Sequence, residues 1–560
     1  MTRGVSECVQ GGILSLLRLD KHLRNLQSSS LKHPQSMTCR LLFPFLALFP
    51  MALCGQIDGD NIFSVDQVIA IDLAFPQNNF WSLLEANYAA DENEYIAAHL
   101  TLTDVSGTHA MDSVGVRLKG NSSHMHPGDK KSFKIDFNKY ISGQNYDGLK
   151  KLNFSNGFKD PTCMREKLFF DVCREVGVSA PRANFAEVTF NGEPWGFYTV
   201  VEQIDDQFLD WNIQEDSGNL FKAGDNFGGG GPGGGGGGGA EANLVHYGDD
   251  QALYEERYEL KSNEDTNDWS DLVSFLDFVN NTTTEAFAAG IDFRMDVDGF
   301  LRSAALDMLF SNLDTYSGSA RNYYIYHNMD TNMWQWIKWD GNEAFGSYTN
   351  GAGNMETLAI DYSDTPRPLL ENMLGHPDLY SRYIEHVCDL VDHVFNETHM
   401  QAQIDATAEL IAPFVYADSH KMYSNNDFDT NLSDNLISGG GPGGGGPGGG
   451  TTYGLKSFVT NRASYVLTQM ECPTSEVADL APSGFTVYPN PATESIHVQL
   501  APWSTADVRL INLVGQVLHT KSATSSGLVQ FELGDLPSGT YVVEIVETGQ
   551  PPQHTHVVVQ

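Results

Sequence analysis

The chain predicts an α+β fold, a large mixed domain followed by a small antiparallel β-sandwich. Three observations carry this. Strand alternation and helical apolar spacing intermix from about residue 62 to Cys472. After Cys472 only short alternating strands remain. Two glycine tracts, 228–239 and 439–450, interrupt the mixed region without ending it. They lack side chains to bury and read as loops within one domain. With 560 residues and 41% hydrophobic content the chain has room for more than one core. Its net charge of −39 lacks the basic footprint of a nucleic-acid surface.

Residues 1–36 look unlike the rest of the chain and read as a misassigned N-terminal extension. From Met37 the sequence "MTCRLLFPFLALFPMALCGQ" has Arg40, an apolar run Leu41–Leu53 and a small-residue exit at Cys54-Gly55. This has the form of a secretory signal peptide over 37–55, with the mature chain starting near Gln56. The run is too short to span a bilayer as a helix, and no other segment reads as transmembrane. Export permits oxidation of Cys163, Cys173, Cys388 and Cys472. Cys163 and Cys173 fall in one predicted helix, about 15 Å of rise apart, too far to bridge each other. The pairing is otherwise open.

Within 56–472, "GVRLKGNSS" and "KKSFKIDF" read as strands joined by a turn. "PTCMREKLFFDVCREVGV" has helical apolar spacing, with Gly177 near its end. "NFAEVTFNGEPWGFYTVVEQID" is a hairpin turning at Asn191-Gly192. "VDGFLRSAALDMLFSNLD" is a helix closed by Asp314, and "RNYYIYH" with "WQWIKWD" forms a second hairpin, closed by Asp340. Residues 473–482 are a linker, and 483–560 supply the strands of the sandwich.

Asp314 and Asp340 stand in apolar flanks, where a carboxylate is costly unless paired or bound to a cation. Element ends hold such side chains in clefts on a fixed backbone. Asn322 lies between them at the start of a strand. Asp, Asn and Asp supply the oxygen donors that Mg²⁺ prefers. They also match the logic of phosphoryl transfer, with one Asp near the accepting hydroxyl and an Asn and an Asp on metal. A structural network of satisfied carboxylates is the alternative. In "KKSFKIDF", alternation places Ser132, Lys134 and Asp136 on one face and Lys131, Phe133, Ile135 and Phe137 on the other. A strand lysine here suits nucleotide phosphates; an exposed edge strand carrying lysines is the other reading. "DGDN" at 58–61 and "DVDG" at 296–299 complete no calcium loop. No G-x-S-x-G or H-E-x-x-H motif is present.

The series "VGVRLKGNSS", "KKSFKIDF", "LNFSNGFKDPTCMREKL", "GVSAPRANFAEVTFNGEPWGFYTVVEQID", "NLFKA", "YELKSNE", "LDMLFSNLDTYSGSARNYYIYHN" and "IKWDGNEAFG" resembles the CotH family of spore-coat-protein-H-type atypical kinases over about residues 62–470. The resemblance implies a distant protein-kinase-like, two-lobed domain. It would bind ATP as substrate with Mg²⁺ and phosphorylate Ser or Thr of a protein. On that resemblance Asp314 matches the catalytic aspartate, and Asn322 and Asp340 the metal-holding residues. Lys134 is the best match to the phosphate-holding lysine, with Lys119 and Lys131 as alternatives. Glu166 is the candidate partner of that lysine, and Arg165 the more family-typical residue beside it. Glu202 falls at the adenine-contacting hinge; Lys222 and Lys261 match family positions without a derived role. The spacing from Asp314 to Asn322 is longer than in H-R-D-x-x-x-x-N, and no His-Arg precedes Asp314.

"VYPNPATESIHVQL", "VRLINLVGQVL", "LPSGTYVVEI" and the final "VVVQ" resemble the C-terminal sorting domain of the type IX secretion system. This implies the type IX machinery as a partner and a secreted or outer-surface location in a Gram-negative, Bacteroidetes-type bacterium. The expected function is therefore a secreted CotH-like kinase. The rival is a non-catalytic surface structural or adhesive protein on the same scaffold.

Overall fold

The computed structural model describes residues 57–472 and 485–559, except 91–93, 126–127, 225–240, 438–449 and short stretches of the C-terminal module (490–491, 494, 501–505, 513–516, 523–527, 535, 538, 548–552). The N-terminal extension, the signal peptide, the linker and nearly all of both glycine tracts lie outside the described residues.

After the short helix α1 (Asp60–Phe63), seven strands close into a barrel. They are β1 (Val68–Ala74), β2 (Ile96–Asp104), β3 (Gly107–Leu118), β4 (Phe133–Asp136), β5 (Lys151–Ser155), β6 (Ala183–Phe190) and β7 (Glu193–Glu202), in the order β1-β2-β3-β4-β5-β7-β6. Helix α2 (Phe80–Ala89) follows β1. The barrel closes through a parallel pairing of β1 with β6, Val68 opposite Phe185. Closure removes unpaired strand edges. In β4, Phe133 and Ile135 point into the barrel core, and Phe133 stacks on Phe154 of β5 at 4.4 Å. β4 pairs on both sides, with β3 and with β5, so it is not an edge strand. The hairpin β6–β7 turns at Asn191 and Gly192, both with positive φ (52° and 79°), as a two-residue turn that matches strand twist requires.

Helix α3 (Arg165–Glu175) lies between β5 and β6 in the chain and is buried along nearly its whole length. It starts later than the sequence suggests. Cys163 precedes it in a turn with φ 57°, and Gly177 ends it with φ 75°. Helix α4 (Asp206–Asn212) leads to a four-stranded sheet, order β11-β10-β8-β9, of β8 (Leu220–Ala223), β9 (Tyr258–Leu260), β10 (Tyr323–Asn328) and β11 (Met333–Lys338). The remaining helices are α5 (Ser270–Asn281), α6 (Thr284–Gly290), α7 (Val297–Leu309), α8 (Pro368–Gly375), α9 (Pro377–His393), α10 (Glu397–Ala417), α11 (Asn425–Asn431) and α12 (Leu455–Val466). With α3 and the four-stranded sheet they share a second, larger apolar core. The pair β12 (Leu436–Ile437) and β13 (Thr451–Thr452) brackets the second glycine tract. Asp296, in the "DVDG" stretch, caps α7 by accepting from Gly299 N at 3.0 Å.

The C-terminal module has two antiparallel sheets with one shared core. One contains β14 (Phe485–Tyr488), β15 (Ser495–Leu500) and β18 (Leu528–Glu532). The other contains β16 (Ala506–Asn512), β17 (Val517–Ser522), β19 (Gly539–Glu547) and β20 (Gln553–Val559).

Cys388 of α9 is bonded to Cys472, 84 residues on, while Cys163 and Cys173 are buried thiols. A crosslink of that span restrains the unfolded chain by an amount on the order of 2–5 kcal/mol. Replacing both Cys388 and Cys472 by Ser should lower unfolding stability by about that much in denaturant melts. A variant as stable as the parent would show that the bridge closes nothing the fold does not already hold.

Candidate active site

Helix α7 ends at Leu309, five residues before Asp314, so Asp314 does not close the helix but stands in the turns after it. The C-terminus of α7 is fastened by Arg462 of α12, whose Nε and Nη2 donate to Met308 O at 3.1 and 2.7 Å. A cation there also complements the helix dipole. Ser311 Oγ donates to Met355 O at 2.7 Å. The buried guanidinium of Arg367 donates to the carbonyls of Tyr316 and Gly318. Ser311, Ala320, Asn322, Asp340 and Phe345 all carry φ between 44° and 60°. Such backbone costs of order 1–3 kcal/mol per residue and persists only where the surroundings enforce it.

The strongest enforcement is a buried ion pair. Lys338 Nζ, at the end of β11, donates to Asp307 Oδ2 of α7; both residues are at least 95% buried. Thr315 Oγ1 donates to the same oxygen at 3.3 Å, and Asn312 N to Asp307 O at 2.8 Å. Burial raises the Asp307 pKa, and Lys338 opposes that rise. The pair thus ties together the helix preceding Asp314 and the strand preceding Asp340.

Asp314 and Asn322 meet directly. Asn322 Nδ2 donates to Asp314 O at 2.8 Å and to Oδ2 at 3.1 Å, while Ser319 Oγ donates to Oδ1 at 2.7 Å. Asp340 lies two residues past β11, half-buried. Gly341 comes next, against Phe169, where a Cβ would lie within 2.5 Å of the ring. Glu343 lies in electrostatic reach of both aspartates. It is 4% exposed, its Oε1 accepts from Lys159 Nζ at 3.1 Å, and burial, with Asp314 and Asp340 adding, pushes its pKa up to about 7.

Lys119 lies in electrostatic reach of Asp340 and Glu166. Its amine donates to Asn153 Oδ1 at 3.3 Å and lies 5.2 Å from the centre of the Trp339 ring. Burial lowers its pKa, and the charges of Asp340 and Glu166 oppose the fall. Glu166, buried on the first turn of α3, is pushed up to about 8 by burial and by Asp340, with Lys119 acting against this. Lys222 of β8 is in electrostatic reach of Lys119.

Lys134 has a different partner. Its amine donates to Gln203 Oε1 at 2.6 Å, and burial among Arg117, Lys151 and Lys119 drives its pKa well down. Lys134 lies opposite Arg117 on β3 and Asn153 on β5, so the residue that accepts from Lys119 is also its cross-strand neighbour. Lys131 Nζ donates to His124 O at 2.8 Å, on the short helical turn Ser122–Met125. The Glu202 carboxylate is locked by Arg182, with Nη2 at 2.6 Å and Nε at 3.1 Å, and by Trp211 Nε1 at 2.9 Å. Its side chain thus belongs to a buried ion pair. Lys261 pairs with Glu259. Arg165 donates to Asn431 Oδ1 at 2.7 Å and Tyr453 O at 2.6 Å.

A family model for the CotH kinase protein matches residues 116–465. This chain belongs to the CotH family. Its residues 486–560 match a secretion-system C-terminal sorting domain, of the type IX class, which implies export. The inner spore coat protein H of Bacillus subtilis is 27% identical over 309 residues, 55% of this chain and 79% of that protein. Spore coat protein homolog 1 of Rhizopus delemar is 23% identical over 406 residues, 69% of this chain and 62% of that protein. Invasin CotH7 of the same organism is 23% identical over 269 residues, 46% of this chain and 41% of that protein. The Helicobacter pylori proinflammatory kinase CtkA aligns with a TM-score of only 0.22 and 10% identity, over 50% of this chain and 91% of that one.

Among the described residues no three His, Cys, Asp or Glu side chains are gathered into a ready-made metal cage, and no helix is long and apolar enough to cross a membrane. The oxygen-only donor set of Asp340, Asn322 and Asp314 nevertheless suits a small hard cation that retains part of its water shell.

Lys338→Met strands the Asp307 carboxylate and should cost about 3–5 kcal/mol of unfolding stability, with Asp307→Asn added to it recovering part of the loss. A loss under 1 kcal/mol would mean the pair is not a fastening. The folded pKa of Glu343 is raised above its unfolded value of 4.5. The folded state then binds the proton more tightly, so this group's contribution is full below pH 4.5 and lost as pH rises through about 7. In metal-free urea melts, Glu343→Gln should flatten the decline of stability over that window by up to about 1.4 kcal/mol per pH unit. Parallel curves for the two proteins would contradict it.

Proposed function

We propose that this chain is an exported CotH-type kinase that transfers the γ-phosphoryl group of ATP to a Ser or Thr hydroxyl of a protein. The observation that carries the reading is that Lys119, from the barrel, Glu166, from α3, and Asp340, after β11, lie in electrostatic reach of one another, while Glu343 is in reach of both Asp340 and Asp314, whose carboxylate accepts from Asn322. Membership of the CotH family supports the reaction class.

Asp340 and Asn322 would hold Mg²⁺, which when bound offsets phosphate charge. Lys119 holds the nucleotide phosphates, oriented by Glu166. Asp314, its carboxylate fixed by Ser319 and Asn322, accepts a hydrogen bond from the substrate hydroxyl. That oxygen bonds to the γ-phosphorus as the bond to the β,γ-bridging oxygen breaks. The hydroxyl proton passes to Asp314 and ADP departs. Little covalent chemistry is asked of the protein, so catalysis rests on positioning and charge. The sorting module sends the chain to the outer surface or the medium of a Bacteroidetes-type cell through the type IX machinery.

A second reading has its own support. Relatives are named as an invasin and as spore-coat proteins, so a surface role that uses the scaffold without turnover is the rival. Nucleotide binding separates the two, because a ligand bound only by the folded state raises its stability by mass action. Mg·ATP should raise the melting temperature of the parent chain and leave Asp340→Ala unmoved. Asp314→Ala should keep the thermal shift and lose phosphoryl transfer. A parent chain that ignores Mg·ATP would favour the scaffold.

A further inference from the structure

Glu343 is a buried carboxylate that phosphoryl transfer by Asp314 and Asp340 leaves unused. It is 4% exposed, and among the described residues its Oε2 has no hydrogen-bond partner. Its Oε1 accepts from Lys159 alone, at 3.1 Å. Buried carboxylate oxygens are ordinarily satisfied, and an unsatisfied one beside other negative groups is costly. Asp314 and Asp340 add to that cost here. The balancing cation is half-buried. Lys159 lies in the turn between β5 and α3, on a backbone with φ 59°, and its amine hangs over the rings of Phe158 and Tyr348 at 5.5 and 6.0 Å. A chain that needed only a satisfied core would have closed this position with an apolar or amide side chain.

We propose that Glu343 is a metal-positioning residue, its free oxygen taking up the water shell of a divalent cation bound at Asp340, with Lys159 as the resident counter-ion that the cation displaces. This rests on the phosphoryl-transfer reading. The carboxylates are not gathered as direct ligands, so the contact runs through metal-bound water, which small hard dications retain. Such outer partners fix the orientation of ligands and hydration, and their loss commonly weakens metal binding by 10–100-fold. Lys159 and the cation then compete for one carboxylate. The two side chains then act in opposite directions on metal affinity.

The test is a Mn²⁺ titration of the full exported chain, monitored by the electron paramagnetic resonance signal of the free ion. Asp340→Ala should lose binding. Glu343→Gln should weaken it by about tenfold or more, and Lys159→Met should tighten it. Unchanged affinity in both Glu343→Gln and Lys159→Met overturns the proposal and leaves the kinase reading intact, since Mg·ATP binding by the parent chain is read separately. A parent chain that binds no Mn²⁺ overturns it as well. If Glu343→Gln does not fold, Lys159→Met decides: tighter binding supports the proposal, and equal or weaker binding overturns it.

Discussion

The buried pair Lys338–Asp307 is the constraint on which the candidate site depends. Both charges are almost wholly withdrawn from water, so each is tolerable only because the other is there. Their mutual demand fixes the end of β11 against α7, and the two aspartates lie a short way beyond those two element ends. The left-handed backbone at Asn322 and Asp340 would relax into commoner conformations without such a clamp. Arg462 and Arg367 complete it by occupying backbone carbonyls on either side of Asp314. Stability is thereby spent to hold polar groups in place, a pattern expected where position matters more than cohesion.

The electrostatics of the region have one recurring form. Carboxylates outnumber the cations that face them, as in the chain as a whole, with 72 acidic and 33 basic residues. Glu166 and Glu343 are pushed toward their protonated forms, and Lys119 toward its neutral form. Each of these groups is electrostatically discontented in isolation. A polyphosphate with a divalent cation would supply what both kinds lack, negative charge for Lys119 and positive charge for the carboxylates.

Much of this is legible in the sequence, and the failures have physical causes. The Asn191-Gly192 hairpin and the separation of Phe133 and Ile135 from Lys134 on β4 are local patterns, and both stand as read. Asp314, Asn322 and Asp340 stand out because polar residues in apolar flanks demand an explanation. Glu343, with Ala-Phe after it, meets the same criterion yet is missing from the site expected from sequence. The barrel is not legible, because its closure pairs β1 with β6 across more than a hundred residues and leaves no local trace. The partners of Lys119, Lys131 and Lys134 are not legible for a related reason. Alternation assigns a face, but only the folded arrangement shows that Lys134 donates to Gln203 and that Lys119 lies in electrostatic reach of Asp340. The Cys388–Cys472 bridge likewise depends on where α9 and the segment after α12 come together.

Whether Lys119, Asp340 and Asn322 form one nucleotide and metal site beside Asp314 is decided by a crystal structure of the exported chain with Mg²⁺ and a non-hydrolysable ATP analogue. Metal density is expected against Asp340 and Asn322, phosphates at the Lys119 amine, and the γ-phosphate facing Asp314. Nucleotide bound elsewhere, or phosphates at Lys134 with Lys119 still turned to Asn153, would contradict that arrangement.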